Sequence, residues 1–170
     1  MVRGARAGRV HWDAAVAQLR QLPAHVPVVV YMSGHVPAAD VGFEFPGDGH
    51  HLDLGELRRT LQDLPAPRVA LLLDCCHAAG VLPHGRARRN NKLFVLASSA
   101  VGERSYAWTG IGHSNMTAQL LPLLDDRADP CPTLDLDRVA DRVCRDLRSH
   151  WDPQHPQIRK LAESFQLPYQ

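Results

Sequence analysis

Three short apolar segments separated by amphipathic stretches constrain the fold of this chain more than any other feature. Residues 28–32, 69–73 and 93–96 are continuous aliphatic runs, which are typical of strands buried on both faces. Between the first two, leucines over 54–64 recur at helical spacing behind Asp53, a good N-cap residue. Strands that alternate with helices predict an α/β fold with a mostly parallel sheet and helices on both faces.

Further helices are predicted at both ends of this pattern. Apolar spacing indicates one helix over 12–22, a second over 114–124, and a last long helix that opens at Thr133. Residues 1–11 are rich in Arg and Gly and have no such periodicity. We therefore expect a poorly ordered basic N-terminal segment, followed by one domain over 12–170.

Composition and charge exclude several classes of function. The chain has 170 residues, is 45% hydrophobic and 22% charged, and carries a net charge of +1. This balance gives no general field for nucleic acid, and no apolar run is long enough to span a bilayer. No cysteine pair has the spacing of a structural zinc site or disulfide framework; the cysteines are Cys75, Cys76, Cys131 and Cys144. Reduced thiols favour a cytoplasmic protein without a metal or other cofactor.

Reactive side chains follow two of the predicted strands directly. Ser33-Gly34-His35 ends the first strand, and Asp74-Cys75-Cys76-His77 ends the second. Because the carboxyl ends of parallel strands meet at one edge of a sheet, His35 and Cys76 are expected to lie close together. An imidazole beside a thiol is the arrangement that a cysteine nucleophile needs. A short helix that opens at Cys76 would place backbone N–H groups beside the thiol, which favours its thiolate form.

These residues have three other interpretations: a purely structural role, a zinc site and a phosphatase loop. A histidine or cysteine at a strand end is often purely structural, and His35, Cys75, Cys76 and His77 are all potential zinc ligands. Adjacent ligands do not easily occupy one tetrahedral site. A phosphatase loop would need an arginine six residues after its cysteine, where this sequence has Val81 or Leu82. The paired motifs favour the catalytic interpretation.

At this point the sequence resembles the caspase-like peptidases, in particular the metacaspase and bacterial caspase-homologue branch. The matching segments are 29–35 (VVYMSGH), 71–80 (LLLDCCHAAG) and 94–99 (FVLASS), within a resemblance that covers about residues 12–160. It implies a caspase-like three-layer sandwich with His35 as general base or acid and Cys76 as nucleophile. Cys75 would point to the opposite side, into packing.

The resemblance also implies roles for residues around the dyad. Asp74 would line a pocket for Arg or Lys, with Ser98 and Ser99 as further substrate-binding residues; alternatively, Asp74 caps the following helix. The backbone amides of Val36 and Cys76 would form the oxyanion hole, although the family has glycine at the position of Val36. The family's first strand is apparently missing before residue 12, is supplied by another chain, or is replaced by a different edge.

These expectations define one function and one alternative. The first is a cysteine endopeptidase that cleaves proteins or peptides after Arg or Lys through a thioester. It would be self-processing after Arg86, Arg88 or Arg89 in the basic loop 80–92, unless that loop is merely solvated. The alternative is a non-catalytic caspase-like scaffold or regulatory subunit. A sensor or regulatory protein would be a separate partner. The resemblance also leaves calcium activation open, since many metacaspases require it, but Asp40, Glu44 and Asp48 form no recognisable calcium motif.

Overall fold

The fold is built on a four-stranded sheet. A computed structural model describes residues 7–37, 42–82, 91–107, 112–124, 133–150 and 154–168. The strands of this sheet are Val28–Ser33 (β1), Val69–Asp74 (β4), Leu93–Ala97 (β5) and Gln157–Arg159 (β7). The strand order is β1-β4-β5-β7, in which β1, β4 and β5 are parallel and β7 is antiparallel to β5.

In the described residues, four α-helices and one 3-10 helix accompany the sheet. They are Arg9–Leu19 (α1), Leu54–Gln62 (α2), the 3-10 helix Ala78–Val81, Asn115–Leu124 (α3) and Leu136–His150 (α4). The side chain of Asp53 accepts the backbone N–H of Glu56 at 2.7 Å, which confirms the predicted cap of α2. α1 begins at Arg9, before the predicted start at residue 12. Residues 9–11 therefore belong to the ordered fold, a correction of the expected boundary.

Alternation along the central strands divides the hydrophobic core into two layers. Leu71 and Leu73 of β4 pack with α1, α2 and the 3-10 helix on one face of the sheet. Ala70 and Leu72 pack with α3 and α4 on the other face. Side chains alternate across a strand with period two, so a strand covered on both sides must be apolar throughout. Every residue of β4 and β5 is buried, which confirms the predicted sandwich with helices on both faces.

The prediction that β1 is buried on both faces was wrong. Val29 is 41% exposed and Tyr31 is 44% exposed, whereas Val30 and Met32 pack on the α1–α2 side. β1 lies at the edge of the four-stranded sheet in the described part of the chain. An aliphatic run does not reveal whether a helix covers its second face.

Four further short strands lie in the described residues, and neither these four nor β7 was predicted. Phe43–Glu44 (β2) and His51–Leu52 (β3) form a two-stranded antiparallel sheet within the Gly- and Pro-rich stretch after β1. Thr133–Asp135 (β6) pairs antiparallel with Gln166–Pro168 (β8). The last helix therefore begins at Leu136, three residues after the predicted start at Thr133.

Within these described ranges, no helix combines the length and the apolar character needed to cross a membrane.

Candidate active site

The tips of β1 and β4 are held side by side. The last register pair joins Ser33 to Asp74, and the Gly34 N–H donates to the carbonyl oxygen of Asp74 at 3.2 Å. His35 lies two residues after Ser33, and Cys76 lies two residues after Asp74. The predicted parallel, neighbouring arrangement of these two strands is confirmed, and both candidate residues follow the same edge of the sheet.

Local packing explains the Gly34-His35-Val36 turn. A Cβ atom on Gly34 would lie 2.6 Å from the ring of Phe43, so this position has no room for a side chain. The carbonyl oxygen of His35 accepts the N–H of Glu44 at 2.8 Å, while the His35 side chain is exposed. Val36 is only 1% exposed and belongs to the core beneath α2. The turn is therefore anchored on both sides of His35.

The two adjacent cysteines have different environments. Cys75 is buried in the α1–α2 core, where desolvation, followed by the nearby charge of Asp74, raises the pKa of its thiol. Cys76 is half-buried, and its Sγ lies 3.9 Å from the carbonyl oxygen of Ser105, within reach of a weak S–H···O hydrogen bond. The predicted packing of Cys75 away from the site is confirmed. An inert buried thiol beside a more accessible one favours Cys76 as the reactive residue.

Ser98 and Ser99 hold the backbone of residues 74–77, here called the cysteine turn. Ser98 Oγ accepts the N–H of Cys75 at 3.2 Å and donates to the carbonyl oxygen of Cys75 at 3.1 Å. Ser99 Oγ donates to the same carbonyl at 3.0 Å and accepts the N–H of Ala78 at 3.2 Å. Both residues are fully buried. Their expected contact with substrate is therefore replaced by a supporting role, because the hydroxyls face the turn.

The turn itself departs from the expected helix. His77 has a φ of +56°, the left-handed conformation, and its N–H donates to the carbonyl oxygen of Glu103 at 2.8 Å. The 3-10 helix begins only at Ala78 and ends at Val81. The predicted short helix after the cysteines is therefore present, but it begins at Ala78 and not at Cys76. The backbone amides of the turn are therefore the source of positive potential nearest to Cys76.

Asp74 is 2% exposed and lies within a cluster of hydroxyl groups. Its Oδ1 accepts from Ser105 Oγ at 3.1 Å, and its Oδ2 accepts from Thr117 Oγ1 at 2.7 Å and also from Ser114 Oγ. The 3-10 helix has no side-chain cap, so the capping alternative for Asp74 was wrong. All three donors are neutral, which leaves the carboxylate without a cationic partner among the described residues.

Glu103 and Gln154 are two further residues near the site that local sequence patterns do not mark. The two oxygens of Glu103 contact the imidazole Nδ1 of His155 at 2.7 Å and the His155 N–H at 3.1 Å. Gln154 is buried and contacts the loop after β5. These pairs join positions roughly fifty residues apart in the chain, so local patterns carry no signal for them.

Other candidate features lie apart from this site. Arg86, Arg88 and Arg89 fall outside the described residues, as does Asp40. Glu44 pairs with the turn after β1, and Asp48 accepts the Arg9 N–H at 2.7 Å, so neither joins an ion-binding cluster. In the part of the chain that the structure describes, no group of three or more His, Cys, Asp or Glu residues could hold a metal ion.

A cavity of about 700 Å³ lies between α4 and β7. It is lined by Asp141, Cys144, Arg145, Arg148, Ser149, Gln157 and Ile158, and includes neither His35 nor Cys76. The pKa of the buried Cys144 thiol is raised to about 12, mainly by desolvation. A thiol of this kind is unreactive at neutral pH, and we therefore place the candidate chemistry at the β1 and β4 tips.

The layered sheet, its strand order and the position of the cysteine turn together define a caspase-like α/β fold. The crystal structure of caspase-1 from Spodoptera frugiperda is similar to this chain, with a TM-score of 0.63 and 14% sequence identity. The match covers 94% of this chain and 70% of that protein. No protein-family model and no curated protein matches the sequence. The structural likeness establishes the fold.

Proposed function

We propose that this protein is a cysteine endopeptidase in which Cys76 is the nucleophile and His35 is the general base and acid. The observation that carries the proposal is the register of β1 and β4. Ser33 and Asp74 are the last register pair, and His35 and Cys76 each follow that pair by two residues, which supports a close approach of their side chains. Residues paired in parallel strands point to the same face, and neighbouring strands are about 5 Å apart.

In this mechanism His35 takes the thiol proton as Cys76 Sγ attacks the scissile carbonyl carbon. The C–N bond then breaks, and the imidazolium gives its proton to the leaving amine, which leaves a thioester on Cys76. A water molecule attacks the thioester and passes a proton to His35. Release of the carboxylic acid product returns that proton to the thiol.

The oxyanion of the tetrahedral intermediate would be stabilised by the backbone N–H groups of Val36 and Cys76. Valine retains the N–H that a glycine would supply at this position. Because its side chain is buried in the core, the backbone of the turn is fixed before substrate arrives. Donors held in place before the reaction need no reorganisation in the transition state, which is the property that makes an oxyanion hole effective.

Asp74 is the proposed determinant of specificity for Arg or Lys before the cleaved bond. A carboxylate has about four acceptor positions, and three hydroxyl groups fill three of them here. A buried charge that lacks a partner is costly, and a basic substrate side chain would provide the missing countercharge. Movement of Ser105 or Ser114 would open access to this carboxylate, since Asp74 is covered in the structure.

The remaining expectations follow from the same proposal. We assign the protein to the metacaspase and bacterial caspase-homologue branch, with the cytoplasm as its location and a separate sensor or regulatory protein as a partner. Self-cleavage would follow Arg86, Arg88 or Arg89. Mass spectrometry of purified active enzyme tests this step, and an intact loop under conditions of full activity would exclude it.

Fluorogenic peptides ending in Arg, Lys, citrulline or Asp test the main proposal. Wild-type protein should release the fluorophore after Arg and Lys, with and without added calcium. Activity should disappear in Cys76→Ala and persist in Cys75→Ala, the matched control one residue away. Absence of cleavage for every peptide would instead favour the non-catalytic scaffold.

A further inference from the structure

Gln154 connects the cysteine turn to the hydroxyl cluster around Asp74 through hydrogen bonds to Ser98 and Ser105. Its side chain is 1% exposed, although it carries two donors and an acceptor oxygen. The Nε2 group donates to the carbonyl oxygen of Ser98 at 2.9 Å and to Ser105 Oγ at 3.4 Å. The Oε1 atom accepts from the Tyr106 N–H at 3.4 Å and from Asn115 Nδ2 at 3.5 Å.

Each of the first two contacts leads to one part of the site. Ser98 uses its hydroxyl to hold the N–H and the carbonyl of Cys75. Ser105 uses its carbonyl to contact Cys76 Sγ and its hydroxyl to contact Asp74 Oδ1. A single buried amide therefore fixes the position of a loop that faces both the nucleophile and the proposed specificity residue.

Glu103, two residues before Ser105, makes a second set of contacts that hold the same loop. Glu103 Oε2 accepts the N–H groups of Ala100 and His155, both at 3.1 Å, and its carbonyl oxygen accepts the N–H of His77. The loop is thus attached to the segment 154–155 at two adjacent points. A buried amide that lost its partners would be left unsatisfied at a cost in free energy, so the hydrogen bonds of Gln154 stabilise this one loop conformation.

We infer that Gln154 is a positioning residue that couples the reactivity of Cys76 to the selectivity of the Asp74 pocket. The inference rests on the proposed function, because it assigns Gln154 to the same site. Loss of the Nε2 donor would free Ser105, which would uncover Cys76 and weaken the hold on Asp74 together. Turnover and basic selectivity should therefore fall in parallel, while the thiol becomes easier to reach.

Gln154→Ala and the near-isosteric Gln154→Glu test this inference. Both are made in a Cys131→Ser background, because Cys131 lies outside the described residues and its thiol would compete for the labelling reagent used below. We expect the ratio of kcat/KM for Arg and citrulline peptides to fall about tenfold or more in both variants, as is typical of small displacements of positioned groups. In Gln154→Glu the loss relative to wild type should diminish at lower pH, because a protonated carboxyl regains a donor. Val143→Ala, a core substitution in α4, serves as the control for a general loss of stability.

Alkylation of Cys76 by iodoacetamide gives a readout that needs no turnover. The rate at pH 7.5 should rise severalfold in Gln154→Ala and remain unchanged in Val143→Ala. If wild type cleaves no peptide, the proposed function fails, and the alkylation rates still decide whether Gln154 controls the cysteine turn. Unchanged alkylation together with an unchanged Arg-to-citrulline ratio would overturn the inference.

Discussion

Gly34 donates its backbone N–H to the carbonyl oxygen of Asp74 at 3.2 Å, one residue beyond the last register pair of β1 and β4. This bond extends the parallel pairing into the turns that carry the two candidate catalytic residues. His35 follows Gly34 directly, and Cys76 follows Asp74 by two residues. The spacing of the proposed dyad therefore depends on a contact between main chains.

Gly34→Ala should weaken both stability and activity. The added Cβ would lie 2.6 Å from the Phe43 ring, and overpacking of this kind typically costs about 1–3 kcal/mol of the free energy of unfolding. Urea unfolding and peptide hydrolysis measure the two effects. Adding Phe43→Leu should restore part of both losses by making room for the methyl group. A Gly34→Ala variant as active and stable as wild type would contradict the assigned packing.

Ser99→Ala should lower the stability of the cysteine turn more than its size suggests. The substitution leaves the carbonyl of Cys75 with one fewer donor and the N–H of Ala78 without its acceptor. Buried groups that lose a partner cost about 1–3 kcal/mol, which urea unfolding can resolve. Ser164→Ala is the control, because that hydroxyl is exposed, and its removal should change stability by less than about 0.5 kcal/mol. Equal effects of the two substitutions would rule out the supporting role.

Asp74→Asn should abolish the preference for basic residues while retaining a similar shape. Removing one partner of a buried ion pair typically costs about 3–5 kcal/mol, so kcat/KM for an Arg peptide should fall by about a hundredfold or more. A citrulline peptide, which is neutral and similar in shape to the Arg peptide, should be affected far less. The measured quantity is the Arg-to-citrulline ratio, and an unchanged ratio would exclude Asp74 as the specificity residue.

Glu103 should make the protein sensitive to acid. Burial alone would raise the pKa of this carboxyl, but hydrogen bonds from Ala100 and His155 and the imidazole charge lower it on balance. A group with a lowered pKa stabilises the folded state above its unfolded pKa, and this stabilisation is lost as pH falls through the folded value. Glu103→Gln should therefore be less stable than wild type at pH 7, with a difference that shrinks between about pH 5 and pH 3. A difference that is constant with pH would contradict this account.

The sequence revealed the central strands because β4 and β5 are covered on both faces and are apolar at every position except Asp74, at the end of β4. It also located β1, but the predicted burial of that strand on both faces was wrong, because Val29 and Tyr31 are exposed although the aliphatic pattern is the same. The two-residue strands β2 and β3 were missed because so short a segment has no measurable period. Burial at an edge depends on neighbours that local sequence does not specify.

The position of the candidate dyad could be predicted from the sequence, but the surroundings of Asp74 could not. His35 and Cys76 follow the ends of two aliphatic segments that were predicted to be parallel strands, so their location at one sheet edge could be predicted. The hydroxyl cluster around Asp74 combines Ser105, Ser114 and Thr117, which lie 31, 40 and 43 residues away along the chain. Contacts between such distant residues form only in the folded state, and no local motif marks them.

The most direct test of the proposed dyad is covalent capture of the nucleophile by an acyloxymethyl ketone that carries an Arg peptide. Peptide mapping by mass spectrometry then identifies the modified cysteine. We predict a thioether on Cys76, formed far more slowly in His35→Ala and unaffected by Cys75→Ala. An adduct on another cysteine, or labelling of Cys76 at the same rate without His35, would contradict the account.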